Sequence, residues 1–190
     1  MSGLAALDDG SLFARARGGD GDALSCLVDR HKDALINYIA RLSGCRDQAE
    51  DVAQDTFVRL LERSAGYVER GMLRSYLYRI ATNLVRTGQR REQRWRVLRP
   101  KLAAVKGFSA EPPQLAALEQ QELGALLTRS LKNLPLRYRV PLILRDVEDW
   151  SYAEIAQFLN CKPGTVKSRI HRGRLKLRKL VAPHWNGVGP

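Results

Sequence analysis

The chain has 190 residues, of which 44% are hydrophobic, and it carries 32 lysines and arginines against 20 acids, for a net charge of +12. This excess favours nucleic acid as the partner, and the length fits one large or two small domains. No apolar run approaches the ~20 residues of a membrane span, and residues 1–10 are too short, polar and acidic to be a signal peptide.

Apolar residues recur at helical spacing through the first half of the chain. The periodicity predicts helices over 9–18, 22–43 and 47–64. Asp47 followed by Glu50 is a capping-type start for the third of them. Residues 66–71 are predicted to form a loop. Residues 47–69 hold six acids and two arginines, so this stretch is a candidate protein-binding face, or else an acidic face that only meets water.

A long helix is predicted from Leu73 to Arg96, and Pro100 is expected to close it. One side carries an apolar stripe. The other side is nearly all arginine, with Tyr76 and Tyr78 interleaved. Residues 74–106 contain ten Lys/Arg and one acid, which indicates a first contact with polyphosphate.

Residues 100–113 lack helical periodicity and end in two prolines, which is typical of a linker. No strand pattern occurs on either side of it. The sequence therefore predicts an all-α fold with two small helical domains joined by a flexible linker. Their expected bounds are 9–99 for the first domain, 100–113 for the linker and 114–182 for the second domain.

The second domain contains a helix-turn-helix pattern over residues 151–174. Ser151 and Glu154 have capping-box spacing, which marks the start of its first helix. Residues 160–162 form the connection. Pro163 suits the first turn of the next helix, because its missing N–H would be unpaired there anyway.

The second helix of this pattern has an apolar side and a cationic side. Its predicted inward residues are Val166, Ile170, Leu177 and Leu180. Residues 162–180 contain eight Lys/Arg and no acid. A helix-turn-helix that presents donors in this way enters the DNA major groove. The alternative is a basic face that only meets solvent.

Cysteine and histidine usage points away from a metal or disulfide site. The three cysteines (Cys26, Cys45, Cys161) are far apart, and the three histidines do not cluster with them. We expect free thiols in a reducing cytoplasm and no metal or cofactor.

Three segments follow one another along the chain: AEDVAQDTFVRLL (49–61), LRSYLYRIATNLVRTGQRR (73–91) and residues 134–174. Together they resemble the group 4, or extracytoplasmic-function (ECF), sigma factors of the sigma-70 superfamily of bacterial RNA polymerase. The resemblance implies a region 2-like domain that binds core polymerase and melts the minus-ten element. It also implies a region 4-like domain that reads the minus-thirty-five element.

The resemblance assigns roles to individual positions. The core polymerase-binding residues would be Glu50, Asp51, Gln54 and Asp55. The minus-ten residues would be Tyr76, Tyr78, Arg79, Asn83, Arg86, Arg90 and Arg91, with loop 66–72 beside Asn83. The minus-thirty-five residues would be Thr165, Lys167, Ser168, Arg169, His171, Arg172 and Arg174. The implied partners are the beta-prime and beta subunits of core polymerase, promoter DNA as duplex and melted strand, and an anti-sigma factor.

Other readings remain open at this point. Either tyrosine could be a core residue instead of a base contact. The chain could be a stand-alone helix-turn-helix regulator whose first domain senses or dimerises. An enzyme such as a recombinase is a third class, but no compact carboxylate pair or Ser/Arg cluster supports catalysis.

Overall fold

The computed structural model describes residues 3–63, 72–103 and 119–184. The helices in these ranges are α1 (Asp9–Arg17), α2 (Gly21–Ser43), α3 (Asp47–Glu62), α4 (Leu73–Ala103), α5 (Glu119–Lys132), α6 (Leu136–Asp146), α7 (Tyr152–Phe158) and α8 (Pro163–Val181), followed by a 3-10 turn at Ala182–His184. No strand occurs in the described ranges, which confirms the all-helical prediction. None of the described helices has the length and apolar character needed to cross a bilayer.

Helices α1 to α4 form the first bundle, and its centre is Tyr38. This side chain is fully buried, and its hydroxyl pairs with Thr82 Oγ1 at 2.8 Å. Burial raises the pKa of Tyr38, so it stays protonated. The bundle begins where Asp9 of α1 meets α2, with its carboxylate 2.8 Å from His31 Nε2 and 2.6 Å from Arg30 Nη1.

Two predicted helix ends in this bundle are wrong. The N-cap of α3 is Arg46, and no side-chain hydrogen bond caps it, so Asp47 and Glu50 lie inside the first turn and act only as favourable charges there. Helix α4 continues through Pro100 to Ala103. Pro100 has no N–H to donate to the carbonyl of Arg96, and because Arg96 is exposed, water can reach that carbonyl.

Helices α5 to α8 form the second bundle, and α7 and α8 are the predicted helix-turn-helix. Ser151 and Glu154 form a capping box: Ser151 N donates to Glu154 Oε2 at 2.7 Å, and Glu154 N donates to Ser151 Oγ at 3.2 Å. These bonds from Ser151 lower the pKa of Glu154. The box is therefore complete above the ordinary carboxyl pKa and is lost as pH falls through the lowered one.

The two bundles touch at the end of α2. Buried Arg139 of α6 donates to the carbonyl of Leu42 at 2.6 Å, and it also donates to the carbonyls of Lys132 and Leu134. Gly44 ends α2 with φ 74°, and a Cβ built there would lie 2.7 Å from Lys132 Cδ. The close approach and the positive φ both require glycine at this position.

The capping box yields a stability prediction. Replacing Ser151 by Ala should lower the free energy of unfolding by about 1 kcal/mol, because the N–H of Glu154 loses its acceptor. Urea denaturation followed by circular dichroism measures the loss. Ser151→Asp is the matched control and should stay close to the parent, since its carboxylate can still cap. Equal midpoints for the Ala and Asp variants would contradict the role of the box.

Candidate nucleic-acid interface

Helix α8 presents a cationic face to solvent. Val166 and Ile170 are buried, and this fixes the rotation of the helix on α6 and α7. The exposed predicted residues are Lys167, Ser168, His171, Arg172 and Arg174, while Thr165 and Arg169 are half-buried. Of the predicted inward residues, Leu177 and Leu180 are only half-buried. The outer face of α8 therefore presents cations and hydrogen-bond donors together.

Contacts from the rest of the domain hold two of these cations. The ammonium of Lys167 lies 5.6 Å from the ring centroid of Tyr152. Arg174 binds Asp146 at the end of α6 through two bonds, of 3.0 Å and 2.5 Å. This pair raises the pKa of Arg174, and it means that a phosphate must compete with a carboxylate for that guanidinium.

Helix α4 carries the second group of predicted DNA residues. Arg79, Asn83, Arg86, Arg90 and Arg91 are exposed. Arg86 Nη2 donates to Asn83 Oδ1 at 2.7 Å. The amide of Asn83 is thus oriented by its neighbour, and its NH₂ group still has donors for a base edge.

The two tyrosines of α4 differ in position. Tyr76 is half-buried against the core. Tyr78 is 1% exposed, with its ring 4.6 Å from Tyr38 and 5.4 Å from Trp150, measured between centroids. In this arrangement Tyr78 is a core residue, which is the alternative reading of it. Burial and the nearby Glu148 carboxylate raise its pKa.

Helix α3 turns its acidic side to solvent. Glu50, Asp51, Gln54 and Asp55 are all exposed. The opposite side packs into the bundle through Ala49, Ala53, Phe57 and Leu60. The surface is thus available to a protein partner. Loop 66–72, which was expected beside Asn83, lies outside the described residues except for Met72.

Sequence reasoning missed two exposed apolar residues on these helices. Val58 of α3 is 54% exposed, one turn beyond Gln54, and Trp95 of α4 is 52% exposed among arginines. The spacing of Val58 indicates its exposure, because it falls outside the apolar stripe of α3 that is buried. Trp95 lies beyond the last buried residue of α4, where an apolar side chain packs on no core.

No group of metal-ligating side chains comes together within the described ranges. Cys26, Cys45 and Cys161 are free and half-buried.

Comparison with known proteins decides the family. The family model of Sigma-70 region 2 matches residues 27–96. The family model of Sigma-70, region 4 matches residues 125–177. The ECF RNA polymerase sigma factor SigW of Bacillus subtilis is 33% identical over 86% of this chain and 91% of its own length. The chain belongs to the ECF sigma factors of the sigma-70 family. The resemblance read from the sequence is confirmed, and with it a non-enzymatic role in directing transcription initiation.

A second ECF sigma factor and two solved structures are also similar to this chain. SigE of Mycolicibacterium smegmatis is 39% identical over 83% of this chain, which spans 61% of that relative's length. Among solved structures, CnrH in complex with the cytosolic domain of CnrY has a TM-score of 0.67 and 26% identity, over 92% of this chain and 97% of that one. The sigma factor RpoE in complex with the anti-sigma factor NepR from Bartonella quintana has a TM-score of 0.61 and 26% identity, over 82% and 94%.

The Arg174–Asp146 pair gives a prediction on this ECF sigma factor's DNA affinity. Asp146→Asn should release Arg174 for a phosphate, so the plot of log K against log salt should steepen by about 0.9. Fluorescence anisotropy of the full chain with duplex DNA, titrated at several salt concentrations, measures the slope. Asp149→Asn removes the same charge from the connection between α6 and α7 and should leave the slope unchanged. Identical slopes for both variants would show that Arg174 gains no phosphate.

Proposed function

We propose that this sigma factor docks on core RNA polymerase through α3, captures the melted minus-ten element with α4, and reads the minus-thirty-five element with α8. One observation carries the proposal: a single chain exposes an acidic helix face and two separate cationic helix faces. A protein that only docks on duplex DNA needs one such cationic helix. We also place its activity in the bacterial cytoplasm, where RNA polymerase and promoter DNA meet.

The polymerase-facing surface would combine Gln54 and Asp55 with their neighbours Glu50 and Asp51. Acidic groups steer the encounter with a basic partner. Val58, exposed one turn further on, would supply the apolar contact that charge alone lacks. We place this face against the coiled coil of the beta-prime subunit.

Capture of a base would rest on Asn83. Its amide can both donate and accept at a base edge, whereas arginine side chains only donate. The bond from Arg86 holds the amide in one orientation. Arg79, Arg90 and Arg91 would follow phosphates, Tyr76 would meet the fork, and Trp95 adds an exposed ring on which an unpaired base could stack.

Reading of the upstream element would rest on the outer face of α8. Lys167, Ser168, His171 and Arg172 share that face, and base-edge recognition in the major groove requires such donors and acceptors. Thr165, Arg169 and Arg174 would lie at its margins, where phosphate contacts position the helix.

We further propose that an anti-sigma factor holds this chain in check. The support is the likeness over both regions to CnrH and to RpoE, whose solved structures are complexes with CnrY and with the anti-sigma factor NepR. The competing function, a stand-alone regulator, predicts specific DNA binding without polymerase. In vitro transcription with purified core polymerase separates the two functions.

The docking face can be tested by paired substitutions. Gln54→Ala with Asp55→Ala should weaken binding to core polymerase at least fivefold and leave the fold intact, because both residues are exposed on a packed helix. A titration of labelled sigma factor with core enzyme measures the change. Asp33→Ala with Asn37→Ala removes the same two group types from the exposed side of α2 and should have no effect. Equal affinity of all three proteins would refute the docking face.

Capture of a base by Asn83 can be tested by promoter opening. Asn83→Ala should form the closed complex but lose most open complex, because a discriminating interaction of ~1–3 kcal/mol is removed. Permanganate footprinting of thymines reports the opening, and a pre-melted bubble template should not fully rescue it. Arg90→Ala is the comparison, and it should lower affinity with little change in base preference. Normal opening by Asn83→Ala would contradict the assignment.

A further inference from the structure

Helix α4 continues well beyond the bundle that packs its first half. It has 31 residues, which at a rise of 1.5 Å per residue gives a length of about 46 Å. The last buried side chain before its exposed segment is Val85, at 5% exposed, and residues 90–98 are all exposed. In the proposed function this segment carries an available ring, that of Trp95, without a defined place on the DNA.

Trp95 lies on the same side of α4 as the apolar stripe that packs the bundle. It follows buried Leu77 by about five turns at 3.6 residues per turn, and Leu98 follows Trp95 by about one more turn. Trp95 is 52% exposed and Leu98 is 48% exposed, because the helix has passed the end of the bundle. The stripe therefore ends in a large aromatic ring that fills no core.

Arginines surround this ring. Residues 90–98 contain four arginines and one acid, Glu92, and Arg96 Nη2 binds that acid at 2.5 Å. The other three arginines have no carboxylate within the segment to offset their charge. Two of them are close to the ring, since Arg91 precedes Trp95 by about one turn and Arg94 is its neighbour in the chain. The ring thus projects from a cationic surface.

A ring in a cationic setting favours single-stranded nucleic acid as its ligand. Proteins bind single strands with cationic surfaces that follow the phosphates and with aromatic side chains on which bases stack. Protein interfaces are instead depleted of charge at their centre. A duplex presents only the edges of its bases in the grooves, so it offers no base face to the ring. The ligand class is therefore an unpaired nucleotide.

Trp95 and Asn83 are too far apart to hold the same base. They are separated by about 18 Å along the axis and by about 120° around it, at 1.5 Å and 100° per residue. At 3.4 Å per nucleotide of a stacked strand, that distance corresponds to about five nucleotides. Arg90 and Arg94 lie within ~20° of Asn83 around the helix, so phosphates between the two positions pass over arginines.

We propose that Trp95 is a second nucleotide subsite, on which an unpaired base of the melted strand stacks about five nucleotides from the base held by Asn83. The inference rests on the proposed function and gives it a second point of attachment. Asn83 reads its base through hydrogen bonds, whereas Trp95 accepts any base through the base's π-face. The two residues together set the length of single strand that α4 holds.

The first test measures the affinity of the full chain for single-stranded DNA. The probe is a fluorescent oligothymidylate of roughly 12 nucleotides, followed by anisotropy. Trp95→Leu should weaken binding at least fivefold, because leucine offers no ring for stacking, and Trp95→Phe should stay within twofold of the parent. Val97→Ala is the control: Val97 is 67% exposed but lies on the other side of the helix, and its loss should have no effect.

Three results of this titration would overturn the subsite. The Leu variant could bind as tightly as the parent, or the Phe variant as weakly as the Leu variant, and either would show that the ring does not stack. An equal loss in Trp95→Leu and Val97→Ala would indicate general apolar contact around α4, as a protein partner would make.

The second test observes the ring itself. The tryptophans of the chain are Trp95, Trp150 and Trp185, so the difference in emission between the parent and Trp95→Phe belongs to Trp95. The oligothymidylate should quench that emission by at least half, and Asn83→Ala should retain the quenching. An abasic phosphodiester of the same length carries the same charge without bases and should leave the emission unchanged. Equal quenching by both probes would show contact through charge alone and would overturn stacking.

The third test locates the stacked base in the holoenzyme. 2-Aminopurine replaces single bases of the non-template strand in a pre-melted promoter template. Its emission should fall at one position about three to seven nucleotides from the base whose signal depends on Asn83, and Trp95→Leu should restore it. Emission that is unchanged throughout this interval, or that is equally low in Trp95→Leu, would contradict the second subsite.

The outcomes separate the two proposals. If the parent holoenzyme fails to open promoter DNA, the proposed function fails, and the free-chain measurements still decide whether Trp95 stacks a base. If the parent opens promoter DNA and Trp95→Leu matches it in affinity and in 2-aminopurine emission, the proposed function stands and the second subsite is refuted.

Discussion

The arrangement of the whole chain depends on one buried guanidinium, that of Arg139. It donates to three carbonyls near helix ends, those of Leu42, Lys132 and Leu134, where backbone dipoles concentrate negative charge. Burial lowers the pKa of Arg139 to about 10, so it remains a cation at neutral pH. Because Leu42 belongs to the first bundle and the other two residues to the second, the same side chain completes α5 and sets where α2 docks. A neutral residue there would leave buried carbonyls unpaired.

The two halves of α4 have different surroundings, and this difference explains where its charged residues lie. Its N-terminal half is packed on both sides, by the first bundle through Leu77 and by Trp150 from the second bundle. Arginines in this half remain at the rim, where Arg74 and Arg79 lie over aromatic rings. Residues 90–98, further along α4, are exposed and carry four arginines, Arg90, Arg91, Arg94 and Arg96. One helix thus joins the structural core to an exposed cationic surface.

The sequence predicts the helices well because their apolar residues repeat at a fixed spacing, and the Ser151–Glu154 box is a local signal that the structure confirms. The features that the sequence does not predict depend on residues far apart in the chain. The burial of Tyr78 depends on Glu148 and Trp150, some seventy positions away. Arg139 is buried because three carbonyls at the ends of α2 and α5 converge on it, and no local pattern in the sequence indicates this. The start of α3 lacks the side-chain cap that its acids suggested, since Arg46 takes that position. Val58 and Trp95 are apolar residues that remain exposed, and the sequence analysis assigned them no role.

The exposed end of α4 has a thermodynamic consequence. Residues 90–98 are all exposed, and Gly88 lowers helix stability by about 1 kcal/mol. The Glu92–Arg96 pair contributes only about 0.2–0.5 kcal/mol. A segment of this length does not nucleate a helix alone. Its helical structure therefore depends on propagation from the packed half of α4. If α4 binds DNA as proposed, that association includes the helix–coil transition of residues 90–98, and its enthalpy varies with temperature more steeply than the buried surface alone would require.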